Sequence, residues 1–437
     1  MSSALPPQPP GDPPPERDSA ARPPAAWAPL AAPAEARRRS LRAAAAALQS
    51  ELPLRFWRQQ AHLTVPASDY ERVEKAVTRA LGAVPRLLEQ HGITVEGTAT
   101  ALGVGTADVE AVLAPKALAP LVLVDAEDAQ APGAAVVARS RANAVRAFTS
   151  LRWGDTLRFY RPSGLDQEAC VGDLLTVLGE SGQGRAPENF PVDGITWAKV
   201  RHPDEIGWVV ETLQALERSL GLPANRLRLQ FLVESGWAVA RLGELVQAAG
   251  PRLCGIVFGI ADYSADLGLT RIRNSHPTCD WARAAIVNAA GAAGVPAIDA
   301  MTMNYPAPDP ERDSAANRRH ILDRVRECFE DTLHGVQMGM MGKWAGHPLQ
   351  LFAVLLAHRM SFARADLERD IHAVEAYATA LAAERGTALV AGAMSDRATD
   401  RQRRTRLRRA VALGHLEPAR GVALGVVSPN EISSLQH

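Results

Sequence analysis

Lysine is scarce: Lys75, Lys116, Lys199 and Lys343 are the whole complement among 48 basic residues. A GC-rich genome explains the arginine bias without any mechanism, but the candidates for a Schiff-base lysine shrink to four. Cysteine is equally sparse. Cys170, Cys254, Cys279 and Cys328 form no CxxC pair and no zinc-like spacing, so neither a disulfide framework nor a structural metal site is expected. No stretch approaches the roughly 18 apolar residues that span a bilayer, and the N-terminus lacks a signal peptide's apolar core. A cytoplasmic protein is expected, with no membrane partner. Basic and acidic residues balance at 48 each over 437 residues, which removes the usual charge argument for nucleic acid.

What is present is a regular alternation. Eleven of the 31 prolines fall in the first 36 residues, and such a segment cannot bury enough surface to fold, so residues 1–36 are expected to be a disordered tail. Residues 37–60 have helix-forming composition. From His62 onward, eight short β-rich runs are predicted as strands: His62–Pro66, Leu121–Asp125, Thr156–Tyr160, Gly194–Val200, Leu227–Glu234, Leu253–Gly259, Pro296–Ala300 and Met340–Trp344. Segments with helical periodicity separate them. Eight strand-then-helix units predict an α/β fold, a (β/α)8 TIM barrel over 37–360, with an open doubly wound sheet as the alternative. Residues 91–119 lengthen the first crossover, and 361–437 read as a helical C-terminal extension or lid.

In such a barrel the active site lies at the C-terminal ends of the strands. The residues there are mostly acidic. Asp125, Glu127 and Asp128 end the second strand, Glu234 ends the fifth, Asp262 and Asp266 follow the sixth, and Asp299 lies on the seventh. Arg158 and Lys199 fall on the third and fourth, Lys343 and His347 at the eighth. Glu234 and Asp262, one strand apart, could hold Mg²⁺ (or Mn²⁺) and leave positions for water and substrate. Each could also simply cap a helix or pair with an arginine.

These residues sit within motifs that resemble the HpcH/HpaI aldolase, citrate lyase β subunit and malyl-CoA lyase family: VPASDYERVEKA at 65–76, LVLVDAEDA at 121–129, LRFY at 157–160, DGITWAKV at 193–200, FLVESGWAV at 231–239, IVFGIADYSADLG at 256–268, IVNAAGAAGVPAID at 286–299 and GKWAGHPLQ at 342–350. The resemblance implies a metal held by Glu234 and Asp262, with Arg158 on the carbonyl or enolate oxygen of the substrate. It implies that Glu127 and Asp128 orient that arginine or metal-bound water, and that Asp125 belongs to the same acidic motif. Lys199 is assigned an electrostatic or structural role, with a Schiff base as the competing reading. Lys343 and His347 either touch substrate or fix the eighth strand end. In the family a C-terminal lid can supply an aspartate to a neighbouring subunit's site; Asp400 is the nearest match and Asp396 the competitor. The sequence departs from the family at Tyr160, where asparagine is usual, in the long first crossover and in the loop 180–191, all expected to surround the pocket.

The reading is therefore a Mg²⁺-dependent carbon–carbon lyase or aldolase acting on a 2-oxo acid (glyoxylate, pyruvate or oxaloacetate), with a CoA thioester as one source. The alternatives are a CoA-independent aldolase and a non-catalytic barrel subunit that binds a partner or ligand. A homo-oligomer, trimer or hexamer, is what the resemblance implies. Seven arginines between Arg397 and Arg409 read as a phosphate clamp, a subunit contact or a solvated helix face.

Overall fold

A computed structural model describes residues 28–47, 52–114, 118–128, 133–433 and 435. Two compact units emerge: residues 50–363, and a second built from the chain up to residue 49 and from 364 onward. The first is a closed barrel of eight parallel strands in sequence order. They are β1 (Ala61–Pro66), β2 (Leu121–Asp125), β3 (Leu157–Arg161), β4 (Gly194–Trp197), β5 (Arg228–Val233), β6 (Leu253–Phe258), β7 (Ala297–Asp299) and β8 (Gly342–Ala345). The barrel predicted from the alternating pattern is thus the fold observed.

Strands buried on both faces read as continuous apolar runs, and β2 and β6 are buried at every residue. Helices cover the outside, and several begin with side-chain caps. His202 caps Pro203–Ser219 and its own N–H donates in return to Glu205, His276 caps Pro277–Ala293, and Asp313 caps Ser314–Gln337. The long first crossover forms two short helices, Val95–Leu102 and Thr106–Val112. They pack on the outer helices, with Arg326 Nε donating to Ala101 O at 2.8 Å and Arg359 paired with Asp108 at 3.0 Å.

Alternation along each strand sorts side chains into lumen and outer layer. The floor of the lumen is polar: Gln59, Thr196 and Gln230 are fully buried and bonded to one another. Gly342 is required there, because a Cβ would lie 1.9 Å from the Gln59 carbonyl oxygen. On the outer side, Asp299 accepts from Arg283 at 2.7 Å and from Lys343 at 3.2 Å, joining β7 and β8 to the helix Pro277–Ala293. All four cysteines are buried and unpaired.

The second unit holds the helices Ala28–Ala47, Arg364–Ala382, Arg397–Ala412, Pro418–Ala423 and Pro429–Ser433, with a hairpin of β9 (Ala388–Val390) and β10 (Ala393–Ser395). The alanine-rich helix Ala28–Ala47 starts within the stretch expected to be tail; residues 1–27 lie outside the described residues. The single helix expected over 37–60 ends at Ala47. A separate 3₁₀ turn, Leu54–Trp57, follows Pro53 in the barrel unit. Among the described residues no helix is long and apolar enough to cross a membrane.

His62, on β1, is fully buried, and its Nδ1 accepts from the Trp344 indole at 3.2 Å. Burial pushes its pKa down to about 3. The unfolded chain takes up this proton below about pH 6.5, whereas the folded chain resists it until about pH 3. Stability contributed by the neutral ring is therefore present above pH 6.5 and falls by about 1.4 kcal/mol per pH unit through that window. Urea unfolding of a His62→Gln variant should lose roughly 1.5 kcal/mol less than wild type between pH 6.5 and 5; equal losses would contradict this burden on His62.

Candidate active site at the barrel mouth

The C-terminal strand ends open into a cavity of about 580 Å³ lined by charged and by apolar side chains. Asp125, Asp128, Arg161, Glu234 and Asp262 make up the charged set. Phe258, Met301, Met303, Tyr305 and Trp344 make up the apolar set, and the Arg161 guanidinium lies 5.2 Å from the centre of the Trp344 ring. A smaller cavity of about 170 Å³ continues past Glu234 and Asp262 to Lys199, Arg201 and Asp266.

Arg161 is the central cation. It is the last residue of β3, opposite Asp125 on β2, with Pro162 ending the strand. Its Nε and Nη2 donate to the two Asp125 oxygens, each at 2.6 Å, a bidentate pair with both partners buried. The remaining nitrogen, Nη1, lies 3.4 Å from Glu127 and 3.5 Å from Asp128. Arg158, the arginine expected here, is elsewhere. Its side chain binds Asp193 with bonds of 3.0 and 2.9 Å, beside Arg55 and near the start of β4. Three residues is an odd step, so Arg158 and Arg161 leave opposite faces of the strand. The same step also sets Arg158 roughly 10 Å nearer the far end of the barrel. The apolar run predicts the strand over 156–160, one residue earlier than β3, and so leaves Arg161 just past the predicted end.

Glu234 follows β5, and burial pushes its pKa up to about 8. Arg161 and the Lys199 amide pull against that, and Asp262 and Glu127 add to it. Gly259 leaves it room: a Cβ there would meet Glu234 Cγ at 2.4 Å. Asp262 sits in the first turn of the helix Ile260–Asp266. Carboxylate oxygens of Asp128, Glu234 and Asp262 all lie within 4.8 Å of one another. Three hard oxygen donors at this spacing suit Mg²⁺ or Mn²⁺, so the residues fit the cation the sequence implied. Asp128, expected to act one layer back, lies close enough to Glu234 and Asp262 to serve as a third donor.

Lys199 organises the acids. It is a non-glycine residue with φ +53°, a left-handed backbone that costs about 1–3 kcal/mol and marks a functional constraint. In that conformation its N–H donates to Glu234 Oε2 at 2.7 Å, while Nζ reaches Glu127 at 2.6 Å and Asp128 at 2.9 Å. Burial favours a neutral amine, but these two carboxylates outweigh it and raise the lysine well above its ordinary pKa. A lysine held protonated is a poor Schiff-base nucleophile. Burial, with Asp128 alongside, lifts Glu127 to about 7 against the pull of Arg161 and Lys199. Burial also opposes ionisation of Asp128, yet bonds from Glu127 and Lys199 hold it below the usual carboxylate range.

The remaining expectations separate. Lys343 faces the helix layer, fully buried, with Nζ on Asp299 and 2.6 Å from Ala300 O; it is a packing cation away from the cavity, because Trp344 and Gly346 take the lumen side. His347 caps the helix Pro348–Met360 by accepting from Leu349 N at 3.2 Å, and its ring meets the edge of Tyr305, one layer behind the wall. Tyr160 also points outward, packing edge-on against Phe148, so it does not shape the pocket. The 180–191 loop joins the end of the helix Cys170–Gly182 to β4, at the opposite end of the strands from the site. Asp400 belongs to the second unit, where it accepts from Arg404 at 2.7 Å, and Asp396 caps the helix Arg397–Ala412. The wall of Met301, Met303 and Tyr305 had no signal in the sequence, since it comes from an irregular loop after β7.

A family model described as a domain of unknown function, DUF6986, matches residues 124–437, most of the chain. The chain belongs to the DUF6986 family. Curated proteins similar to this DUF6986 chain include L-malyl-CoA/β-methylmalyl-CoA lyases. That of Haloarcula marismortui is 27% identical over 261 residues, covering 59% of this chain and 68% of the relative. That of Cereibacter sphaeroides is 28% identical over 249 residues, 53% and 70% respectively. A citrate lyase from Burkholderia xenovorans LB400 superposes with a TM-score of 0.57 at 21% identity, covering 86% of this chain and 97% of that one, a likeness of fold. The similarity to malyl-CoA lyases agrees with the resemblance of this DUF6986 chain's motifs to the HpcH/HpaI aldolase and citrate lyase β group.

Because Gly259 makes space for Glu234, Gly259→Ala should weaken Mn²⁺ binding at least about tenfold, in line with the loss of groups that orient ligands, with circular dichroism unchanged. Electron paramagnetic resonance titration reads the affinity. Wild-type affinity would contradict the placement of Glu234 as a ligand.

Proposed function

We propose that this DUF6986 protein is a divalent-metal-dependent carbon–carbon lyase that makes or breaks the bond next to a 2-oxo acid, with a CoA thioester as the partner. The observation that carries this reading is the convergence of Asp128, Glu234 and Asp262 beside the Arg161 guanidinium in one cavity. Its curated relatives named as malyl-CoA lyases support the choice of reaction class.

When bound, Mg²⁺ supplies Lewis-acid polarisation of the 2-oxo acid. Arg161 faces the same space and stabilises negative charge on the substrate's carbonyl oxygen as the carbon–carbon bond changes. Its orientation is fixed by the bidentate contact to Asp125, so no reorganisation is needed at the moment of reaction. Lys199 balances Glu127 and Asp128 and keeps Asp128 ionised. Glu127, lifted to about 7, can hold a proton at neutral pH and pass it between its carboxyl and a nearby oxygen. The apolar wall of Phe258, Met301 and Tyr305 excludes water and accepts the acyl part of the partner.

Mass spectrometry of the purified protein with acetyl-CoA or propionyl-CoA plus glyoxylate, pyruvate or oxaloacetate tests the proposal. The expected result is a hydroxyacyl-CoA product that needs Mg²⁺, disappears with chelator and is lost in Glu234→Gln. Metal-dependent consumption of free 2-oxo acids without any CoA product would instead support the CoA-independent aldolase, and no turnover at all would overturn the enzyme reading. Arg161→Lys should lower kcat by about 100-fold or more, as loss of a preorganised donor does, whereas Arg158→Lys should leave kcat within a few-fold. The reverse order would return the catalytic role to Arg158.

A further inference from the structure

The arginine-rich helix Arg397–Ala412 divides its cations between two faces. Arg403 and Arg406 turn to the helix Arg364–Ala382: Arg406 pairs with Asp370 at 3.2 Å and Asp366 at 3.6 Å, and Arg403 approaches Asp370 at 4.0 Å. Arg397, Arg401, Arg404 and Arg408 recur at four- and three-residue steps, which places them on one face over about 16 Å of helix. Together with Asp400, Thr405 and the Gly425–Val426 turn, they line a cavity of about 610 Å³, wholly within the second unit.

This face carries more positive charge than its acids balance. Arg404 is held by Asp400 at 2.7 Å and by Leu424 O at 2.8 Å, and Arg408 by Glu431 at 2.5 Å. Arg397 and Arg401 are exposed and have no carboxylate partner among the described residues. Four guanidiniums thus face two carboxylates. Asp400 Oδ1 is buried away from the cavity, so only its Oδ2, bonded to Arg404, offsets charge on this face. The volume is that of a small-molecule site. No aromatic side chain lines it, so it lacks the stacking platform that binds a single-stranded nucleic acid.

We propose that the second unit carries a binding subsite for a diphosphate ester, in which Arg397 and Arg401 take the phosphates and Arg404 and Arg408 flank them from fixed positions. Planar guanidiniums match phosphate oxygens in pairs. The same chemistry is found in a free nucleoside diphosphate and in the nucleotide tail of a thioester. This subsite does not depend on the reaction assigned to the barrel.

Isothermal titration calorimetry of the full chain in metal-free buffer tests it, with ADP and inorganic pyrophosphate as probes and CoA as competitor. The expected result is saturable 1:1 binding of ADP and of pyrophosphate, and at least a tenfold loss of ADP affinity in Arg397→Gln/Arg401→Gln. Both substitutions are at exposed positions, and an unchanged thermal melt checks the fold. Glu234→Gln in the barrel should bind ADP as wild type does. Displacement of ADP by CoA would assign the subsite to a thioester tail, and ADP binding that CoA leaves intact would assign it to a free nucleotide; both outcomes keep the subsite. No saturable binding at millimolar ADP and pyrophosphate, ADP binding untouched by the double substitution, or binding of a short polyuridine RNA in place of ADP would overturn it.

Discussion

Arg161 and Asp125 face each other across the ends of two adjacent strands, and the chemistry at the barrel mouth depends on that pair. The bidentate contact consumes two of the guanidinium's donor positions and leaves the third turned toward Glu127 and Asp128. A buried arginine in this setting is stable only because acids surround it, and those acids are tolerable only because Arg161 and Lys199 are there. Removing one member leaves an uncompensated charge beside the buried Arg161 and Asp125. A divalent cation held by Asp128, Glu234 and Asp262 would enter the same balance.

The positions of these groups follow from backbone geometry more than from local chemistry. Register pairs Asp125 with Arg161 directly, and Gly259 leaves the gap that Glu234 fills. Lys199 reaches three acids at once only through its left-handed backbone, using its amide for Glu234 and its ammonium for the other two. Strain of this kind persists where surrounding contacts over-determine it. The cavity is lined by both charged and aromatic or thioether side chains, a mixture that suits a small polar acid joined to an apolar acyl group.

Much of this was legible in the sequence, and the parts that were not fail for identifiable reasons. The eight strand–helix units announced a barrel because doubly buried strands are apolar throughout, and Glu234 stood out because it directly follows such a run, whereas Asp262 lies in the first turn of the helix after β6 and drew notice through the motif around it. Arg161 was missed by a one-residue error in the end of β3. With a side-chain period of two, an odd offset exchanges lumen for outer layer, and Arg158 proved to bind Asp193 instead. The same alternation took Lys343 out of the cavity and put Trp344 in it. Asp128 could be placed in the acidic motif, but its approach to Glu234 and Asp262 is a distance across the barrel that no spacing along the chain encodes. The division of the C-terminal arginines into paired and unpaired faces likewise depends on where Asp366, Asp370 and Glu431 fold back.

The central claim is that a 2-oxo acid reaches a cation held by Asp128, Glu234 and Asp262. Oxalate is a stable planar mimic of the enolate of such an acid, and Mn²⁺ reports its ligands through the width of its resonance lines. Electron paramagnetic resonance of the Mn²⁺-loaded protein with ¹⁷O-labelled oxalate is therefore the most direct measurement. Broadening relative to unlabelled oxalate is the predicted result, because oxalate oxygens would ligate the ion directly. Unbroadened lines with both Mn²⁺ and oxalate saturating would contradict the account.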